Sequence, residues 1–242
     1  MTLSKLSNCP GDGALLLIAQ DCPALLKLNF KHYIKTKPID ILPPSMRAHA
    51  DLQILYIGNN LFLTCPECFD YYKERLAPLG AEVICGTSSL QGTYPYDAAY
   101  NICVAGKTAF CNTKTADKTA LSILSDNGFN IIHVNQGYTK CSTAVISESA
   151  VITADTGIYK AAHTAGFDVL LTEPGGVTLE GFSYGFFGGC CGKISKNKLF
   201  INGSIKNHPS RHKIIPFLEK QNVKIIEGAD KAPADIGSLI VV

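Results

Sequence analysis

The chain has 242 residues, of which 46% are hydrophobic and 17% charged, with 10 cysteines and no tryptophan. A folded chain of this length buries roughly 70–75% of the surface that its unfolded form exposes, so the composition excludes a disordered protein and a disulfide-stapled miniature scaffold. Lys and Arg total 22 against 20 for Asp and Glu, and the net charge of +2 gives no basic excess that would favour a nucleic acid or an anionic membrane as partner.

The cysteines and the apolar runs indicate the compartment. The first apolar run, residues 14–19, is far shorter than the roughly 20 residues of a membrane span and follows no strongly cationic leader. Cys85 and Cys103 lie inside apolar runs, which is typical of buried, reduced thiols rather than of a disulfide framework. We therefore expect a cytoplasmic protein, with a secreted, disulfide-bonded protein as the alternative.

An internal repeat of strand, tight turn, strand, helix and strand recurs about every 40–50 residues. Its clearest copy predicts strands over residues 52–57, 61–64 and 81–85. The turn between the first two strands contains Gly and Asn, which tolerate the positive φ of tight hairpins. Thr64 is predicted to cap the helix that follows, with Glu67 completing a capping box.

Three further copies repeat this order of elements along the chain. The predicted first and second strands are residues 100–104 and 108–111, 143–146 and 150–153, and 191–194 and 198–201. Closing strands are predicted over residues 167–171 and 223–226. Asn112 and Asn207 are the predicted helix caps in the second and fourth copies.

The fifth copy is divided between the two ends of the chain. Residues 236–242 are predicted to form its first strand, and residues 13–19 its second. Asp21 would then cap a helix, and residues 39–42 would form the closing strand. Such a division closes a ring of blades without free edges. We therefore predict an α/β fold, a five-bladed ββαβ propeller with one blade shared between the N- and C-termini, as a single domain over residues 1–242.

This layout resembles the guanidino-group-modifying, or pentein, superfamily, which includes arginine and agmatine deiminases, amidinotransferases and dimethylarginine hydrolases. The resemblance covers essentially the whole chain. It implies that ligands bind on the central axis, where the first strand of each unit begins. The residues at these openings are Arg47, His49, Asp97, Asn101, Lys140, Cys141, Asp235 and Ser238, with the segments 180–184 and 188–192.

The catalytic pattern of the superfamily is incomplete here. Its enzymes combine a Cys nucleophile, a His acid/base and carboxylates that pair with the guanidinium. Asp97 resembles the superfamily's acidic residue, but Phe182 stands where the resemblance places the His. The C-terminal Asn-x-His-Cys motif resembles residues 235–238, with Gly237 for the His and Ser238 for the nucleophile. The chain is therefore similar to a divergent member that lacks the usual catalytic Cys and His.

Other cysteines could supply a thiol. Cys190 and Cys191 lie among glycines, which permit the close approach of a ligand, and an extended backbone would point the two to opposite faces. Alternatively, the glycines pack the propeller centre and both cysteines are small buried hydrophobic residues. Cys190, Cys191 and Cys141 are the candidate catalytic residues. Cys65 and Cys68 have the spacing of a zinc or redox pair, but no second pair accompanies them, so no metal site is predicted.

We expect a protein that binds a small cationic or zwitterionic ligand, guanidino or amino, in an axial pocket, without a cofactor and without a need for catalysis. Asp97 and Asp235 would meet the cation and Lys140 a carboxylate. The alternatives are a thiol-dependent hydrolase or amidinotransferase-like enzyme and a non-enzymatic interaction protein like the ribosome anti-association factor, which shares the fold. A homodimer is the base-rate expectation. The predicted ligand-binding residues are Asp97, Asn101, Lys140, Asp235, Ser238 and Arg47.

Overall fold

The computed structural model describes residues 3–242, which contain five three-stranded sheets with one common strand pattern. In each sheet the central strand pairs antiparallel with one neighbour and parallel with the other. The sheets are β15-β1-β2, β3-β4-β5, β6-β7-β8, β9-β10-β11 and β12-β13-β14, built from β1 Leu16–Ala19, β2 His32–Lys35, β3 Ile54–Gly58, β4 Leu61–Thr64, β5 Glu82–Cys85, β6 Cys103–Ala105, β7 Thr108–Cys111, β8 Asn130–His133, β9 Thr143–Ser147, β10 Ala150–Thr153, β11 Asp168–Leu171, β12 Cys191–Ser195, β13 Lys198–Ile201, β14 Lys224–Glu227 and β15 Ile240–Val241.

The sheet that joins the two ends of the chain confirms the predicted shared blade. Strand β15 pairs antiparallel with β1, with Leu17 opposite Val241. The backbone N–H groups of Leu15 and Leu16 donate to the carbonyl of Val242 at 2.8 and 3.0 Å. Strand β1 then pairs in parallel with β2. The C-terminal strand therefore completes a sheet that begins at the N-terminal end.

Helices connect the parallel strands of four sheets. Two further helices are single turns that end directly before the first strands β3 and β9. In the part of the chain that the structure describes, no helix has the length and apolar character needed to cross a membrane. The helices are α1 Ala50–Gln53, α2 Phe69–Leu76, α3 Lys118–Asp126, α4 Thr139–Ser142, α5 Thr156–Thr164 and α6 Arg211–Lys220.

The predicted helix caps and one predicted strand are wrong. Thr64 stays in the sheet opposite Ile54, and Glu67 accepts the N–H of Leu90 instead of completing a capping box. The closing strand of the shared blade is β2 rather than residues 39–42, which lie in a turn. Ala24 and Cys65 are the N-cap positions of two short 3-10 helices, Leu25–Lys27 and Pro66–Cys68, and Asp117 and Ser210 are those of α3 and α6. The predicted caps were Asp21, Thr64, Asn112 and Asn207.

The thiols agree only in part with the prediction from composition. All 10 cysteines are free, and Cys103 is buried as predicted, but Cys85, at the end of β5, is only half-buried. Most of the sulfur atoms therefore lie in the hydrophobic cores. Cys141 is the candidate thiol that lies against polar groups.

Candidate functional site

A cavity of about 280 Å³ opens where the first strands of several blades begin. Its polar residues come from three different blades, because His49 precedes β3, Cys141 precedes β9 and Asp235 precedes β15. Its walls are largely aromatic. The lining residues are Met46, His49, Tyr138, Cys141, Leu179, Phe182, Ser183, Tyr184, Phe186 and Asp235.

A histidine and a carboxyl group face each other at the floor of this cavity. The His49 Nδ1 atom lies 3.9 Å from Asp235 Oδ1, and each side chain is 1% exposed. Neither ring nitrogen of His49 has a hydrogen-bond partner. Asp235 is held by the backbone, since its Oδ2 accepts the N–H of Phe186 at 2.9 Å and its Oδ1 accepts the N–H of Gly237 at 3.0 Å.

A second buried carboxyl group adjoins the cavity floor. Asp51 Oδ2 accepts the hydroxyl of Ser238 at 2.6 Å and the thiol of Cys141 at 2.9 Å, while Oδ1 has no partner. The Asn101 amide donates to the Cys141 sulfur at 3.0 Å. Residues from four blades, Asn101 included, therefore meet in one polar region. We use the name axial cluster for His49, Asp51, Cys141 and Asp235, which come from three of these blades.

The axial cluster carries more acidic than basic groups. Burial raises the pKa of Asp235 above its ordinary value, and the nearby His49 opposes this rise only in part. Burial, followed by the charges of Asp51 and Asp235, raises the pKa of the Cys141 thiol well above its usual range. Within residues 3–242, no lysine or arginine forms an ion pair with Asp51 or Asp235. A bound cation would supply the missing positive charge.

The glycine-rich segment before β12 packs against the axial cluster. A Cβ atom on Gly189 would lie 2.1 Å from Asp235 Oδ1, and one on Gly185 would lie 2.6 Å from the Asp235 Cβ. Cys190 and Cys191 are buried in a hydrophobic core, where both thiols donate to the carbonyl of Phe187 at 3.1 Å. The structure thus places the glycines at a close approach to Asp235 and both cysteines outside the cavity lining.

Replacing Gly189 with alanine tests this close approach. We expect Gly189→Ala to lower the free energy of unfolding by about 1–3 kcal/mol, because the added methyl group must displace the Asp235 carboxyl group. Urea unfolding measures the change. Gly11→Ala is the matched control, since no atom lies within 4 Å of its Cβ position, and it should change the free energy by less than about 0.5 kcal/mol. Equal effects at both positions would contradict the packing role.

Comparison with known proteins places the chain in a family. Residues 18–240 match the profile of a family of unknown function, DUF6873. The chain belongs to this family. A comparison with curated proteins finds no match. The sequence therefore places the chain in DUF6873, a family whose function is unknown.

Solved structures show the fold of the DUF6873 chain. It is similar to an amidinotransferase of the saxitoxin biosynthetic pathway from Microseira wollei (11% identity, 93% and 91% of the two chains, TM-score 0.55). It is also similar to a DDAH variant from Pseudomonas aeruginosa complexed with citrulline (11%, 88% and 91%, 0.54) and to an agmatine deiminase from C. jejuni (16%, 93% and 82%, 0.50). The fold is that of the pentein superfamily, as the resemblance predicted.

Asn101 and Ser238, two of the predicted ligand-binding residues, form hydrogen bonds with residues of the axial cluster. Asn101 Oδ1 accepts the backbone N–H groups of Lys140 and Cys141 at 2.7 and 3.1 Å and so fixes the turn that carries the thiol. Ser238 has a positive φ of 62° and donates to Asp51. Neither residue lines the 280 Å³ cavity in the DUF6873 chain.

The other predicted polar residues, apart from Asp235, also lie outside the cavity lining. Asp97 is buried, and its Oδ2 accepts the hydroxyl of Tyr138, which stands between it and the cavity. Lys140 lines a small separate cavity together with Asp51. The Arg47 side chain is 39% exposed, and its guanidinium lies 3.7 Å from Asp40. The binding roles of these three residues remain predictions.

Asp51 is a site residue that was not predicted from the sequence. Asp51 and Lys140 occupy matching positions, each being the second residue of a four-residue turn directly before a first strand. Matching the two turns would have pointed to Asp51. The aromatic residues of the cavity wall could also have been recognised in the sequence, since Phe182, Tyr184 and Phe186 cluster at the start of the glycine-rich segment.

A second cavity of about 330 Å³ adjoins the first and shares Ser183 and Tyr184 with it. Lys206, Lys231 and His208 are among its lining residues. Burial lowers the pKa of His208, so this ring stays neutral at a pH where an exposed histidine begins to charge. This cavity is the alternative location for a ligand.

Proposed function

We propose that the DUF6873 chain binds a small organic cation, a guanidino or amino compound, in the 280 Å³ cavity that Asp235 lines and Asp51 adjoins, which we call the axial cavity. The observation that carries this proposal is the pair of buried carboxyl groups, Asp235 and Asp51, with which no lysine or arginine of residues 3–242 forms an ion pair. A buried charge without a partner is costly, so such a pair favours a ligand that brings the opposite charge.

The walls of the cavity suit the same ligand class. Tyr138, Phe182, Tyr184 and Phe186 surround the space above Asp235. Aromatic faces attract organic cations through the ring quadrupole, by about 0.5–2 kcal/mol for each favourable contact. Phe182 and Tyr184 are 47% and 45% exposed, so the entrance carries aromatic faces that a ligand can reach from solvent.

The size of the cavity and the fold give further support. Its volume of about 280 Å³ is near the lower end of the usual range for small-molecule sites, about 300–1,000 Å³, which fits a compound of the size of arginine. The similar solved structures include a DDAH complexed with citrulline and an agmatine deiminase. Agmatine and arginine are therefore sensible first probes.

Calorimetric titration of the metal-free chain with arginine, agmatine and guanidinium tests the proposal. Citrulline is the control, because an uncharged ureido group replaces the guanidinium in the same carbon skeleton. We expect at least one cation to bind with a Kd of about 1 mM or lower, or about −4.1 kcal/mol, and citrulline to bind more weakly than arginine by about tenfold or more. Absence of binding by every cation, or equal affinity for citrulline, would overturn the proposal.

A second candidate function, a thiol-dependent guanidino hydrolase, is favoured by one observation. Cys141 and His49 both line the cavity, and the Cys141 sulfur lies within 4.8 Å of a His49 ring nitrogen. In that reaction the Cys141 sulfur attacks the guanidinium carbon as its proton passes to Asp51, which already accepts the thiol at 2.9 Å, and a protonated His49 gives its proton to the departing ammonia. Water then loses a proton to His49 and attacks the same carbon, the carbon–sulfur bond breaks, and the sulfur regains its proton from Asp51, which leaves a ureido product.

The same incubations distinguish a hydrolase from a binding protein. Release of ammonia from arginine or agmatine that stops in Cys141→Ser and continues in Cys190→Ser would support the hydrolase. Cys190→Ser is the matched control, because Cys190 is buried in a core and does not line the cavity. Binding without ammonia release would leave the cation-binding function alone.

A further inference from the structure

We propose that His49, Asp51 and Cys141 form a three-ligand site for Zn²⁺ that opens into the axial cavity. No metal site is predicted from the sequence, because Cys65 and Cys68 are a pair at short spacing without a second pair. These three residues come instead from two blades that are about 90 positions apart. This inference goes beyond the proposed binding of an organic cation, and neither depends on the other.

The geometry of the three side chains fits a zinc ion. One ligand atom from each of His49, Asp51 and Cys141 lies within 4.8 Å of the others. Tetrahedral zinc bonds of about 2.0–2.3 Å place neighbouring ligand atoms about 3.3–3.6 Å apart, so small side-chain rotations suffice. A thiolate, an imidazole and a carboxylate form a donor set that suits zinc, whereas magnesium and calcium prefer oxygen ligands alone.

Unpartnered polar atoms give independent evidence for a ligand. Among residues 3–242, neither ring nitrogen of His49 nor the Oδ1 atom of Asp51 has a hydrogen-bond partner. The two residues are only 1% and 2% exposed, so bulk water does not compensate for these missing bonds. Buried polar groups in native proteins are nearly always satisfied, and a metal ion would satisfy one nitrogen of His49 and the free oxygen of Asp51 together.

Each of the three ligands has an outer partner of the kind found around metal sites. Asp235 Oδ1 lies 3.9 Å from His49 Nδ1, so a small rotation of the ring would make this outer hydrogen bond and leave Nε2 for the metal. Ser238 donates to Asp51, and Asn101 donates to the Cys141 sulfur. Outer-shell carboxylates and amides orient metal ligands and raise their affinity for the ion.

The fourth coordination position faces the axial cavity, because His49 and Cys141 both line it. Three protein ligands with one open position are typical of zinc sites that also bind a small molecule or water. Binding would displace the Cys141 proton. Zinc and an organic cation would compete, since both use the negative charge of the same carboxyl groups.

Metal titration of the full chain tests the site. We expect the metal-free protein to take one equivalent of zinc from a chromophoric chelator, and one equivalent of cobalt to give a thiolate-to-metal absorption band. Cys141→Ser should abolish this band and weaken zinc binding by about 100-fold or more, and Asp235→Asn should weaken it by about 10–100-fold. Cys190→Ser and Cys65→Ser are controls that should leave both readouts unchanged.

Several outcomes overturn the proposal. They are the absence of stoichiometric zinc binding, undiminished binding by Cys141→Ser, and loss of the cobalt band in Cys65→Ser, which would assign the metal to Cys65 and Cys68. If Cys141→Ser is unfolded by circular dichroism, His49→Gln supplies the same test through the cobalt spectrum. Arginine binding to the metal-free chain is measured separately, so failure of the metal site and failure of the proposed function give different results.

Discussion

Asp235→Asn is expected to weaken the binding of arginine or agmatine by roughly 100-fold or more, because it removes the buried negative charge that pairs with the ligand's cationic group. The Asp235 carboxyl group lines the cavity, and no lysine or arginine in residues 3–242 pairs with it. Calorimetric titration of the metal-free variant measures the loss. Asp51→Asn is expected to act in the same direction, since Asp51 is the second carboxyl group of the axial cluster.

The matched control for this prediction is Asp97→Asn. Asp97 is also a buried carboxyl group, but it bonds to Tyr138 and does not line the cavity. Its replacement should change the affinity by no more than about threefold. Asp235 also accepts two backbone N–H groups, so thermal unfolding is measured on each variant before binding is compared. A large loss in Asp97→Asn with none in Asp235→Asn would contradict the site described here.

Asp117→Ala is expected to lower the free energy of unfolding by about 3 kcal/mol or more. The buried carboxylate caps α3 by accepting the N–H of Ala120 at 3.0 Å. It also accepts the N–H groups of Thr87 and Ser88 at 2.9 and 2.8 Å. Removal therefore leaves several donors without a partner. Asp155→Ala is the control in urea unfolding, since Asp155 caps α5 through the single N–H of Ile158 and should cost about 1 kcal/mol.

Asp117 also predicts a pH dependence. Burial alone would raise the pKa of Asp117, but its hydrogen bonds to Ala120, Ser88 and Thr87 together outweigh burial and hold the pKa below its ordinary value. A lowered pKa in the folded state means that the unfolded chain binds the proton more readily. Stability from this group is therefore complete above a pH of about 4 and is lost as the pH falls below it. Asp117→Asn should reduce the acid dependence of stability in urea unfolding between about pH 4 and 2, and an unchanged dependence would contradict this account.

The central hairpins of the fold follow from local sequence. Strands β4, β7, β10 and β13 have the predicted bounds because each is a short apolar run directly after a tight turn. The closing strand of the shared blade did not follow. Strand β2 has the sequence His-Tyr-Ile-Lys, and its side chains are mostly accessible. Ile39 and Leu42 are buried although they lie in a turn, so the more hydrophobic segment is not the strand.

The predicted helix caps are wrong where residues far away in the sequence determine the position at which the helix begins. Asn112 has the chemistry of a cap, but its backbone carbonyl accepts from Thr115 and Ala116 in a local turn. The helix begins after Asp117, whose carboxylate is stabilised by Thr87 and Ser88 from another part of the chain. A pattern that considers only neighbours three or four positions away does not contain this information.

The location of the candidate site could be predicted, but its residues could not. The resemblance implied binding where the first strands begin, and His49, Cys141 and Asp235 line one cavity at that place. That a ligand binds there is still a prediction. The contact between Asp51 and Ser238 joins residues 187 positions apart, so only the closed ring of blades brings them together. The choice among thiols likewise required coordinates, because Cys190 and Cys191 look more unusual in the sequence than Cys141.

The most direct test of the axial cation site is a crystal structure of the metal-free protein with agmatine. We expect its guanidinium or its amine within about 2.7–3.2 Å of a carboxyl oxygen of Asp235 or Asp51. The rest of the ligand should lie against the faces of Tyr138 and Phe186. Agmatine in the second cavity beside Lys206 and Lys231, or an axial cavity that holds only water at saturating agmatine, would contradict the account.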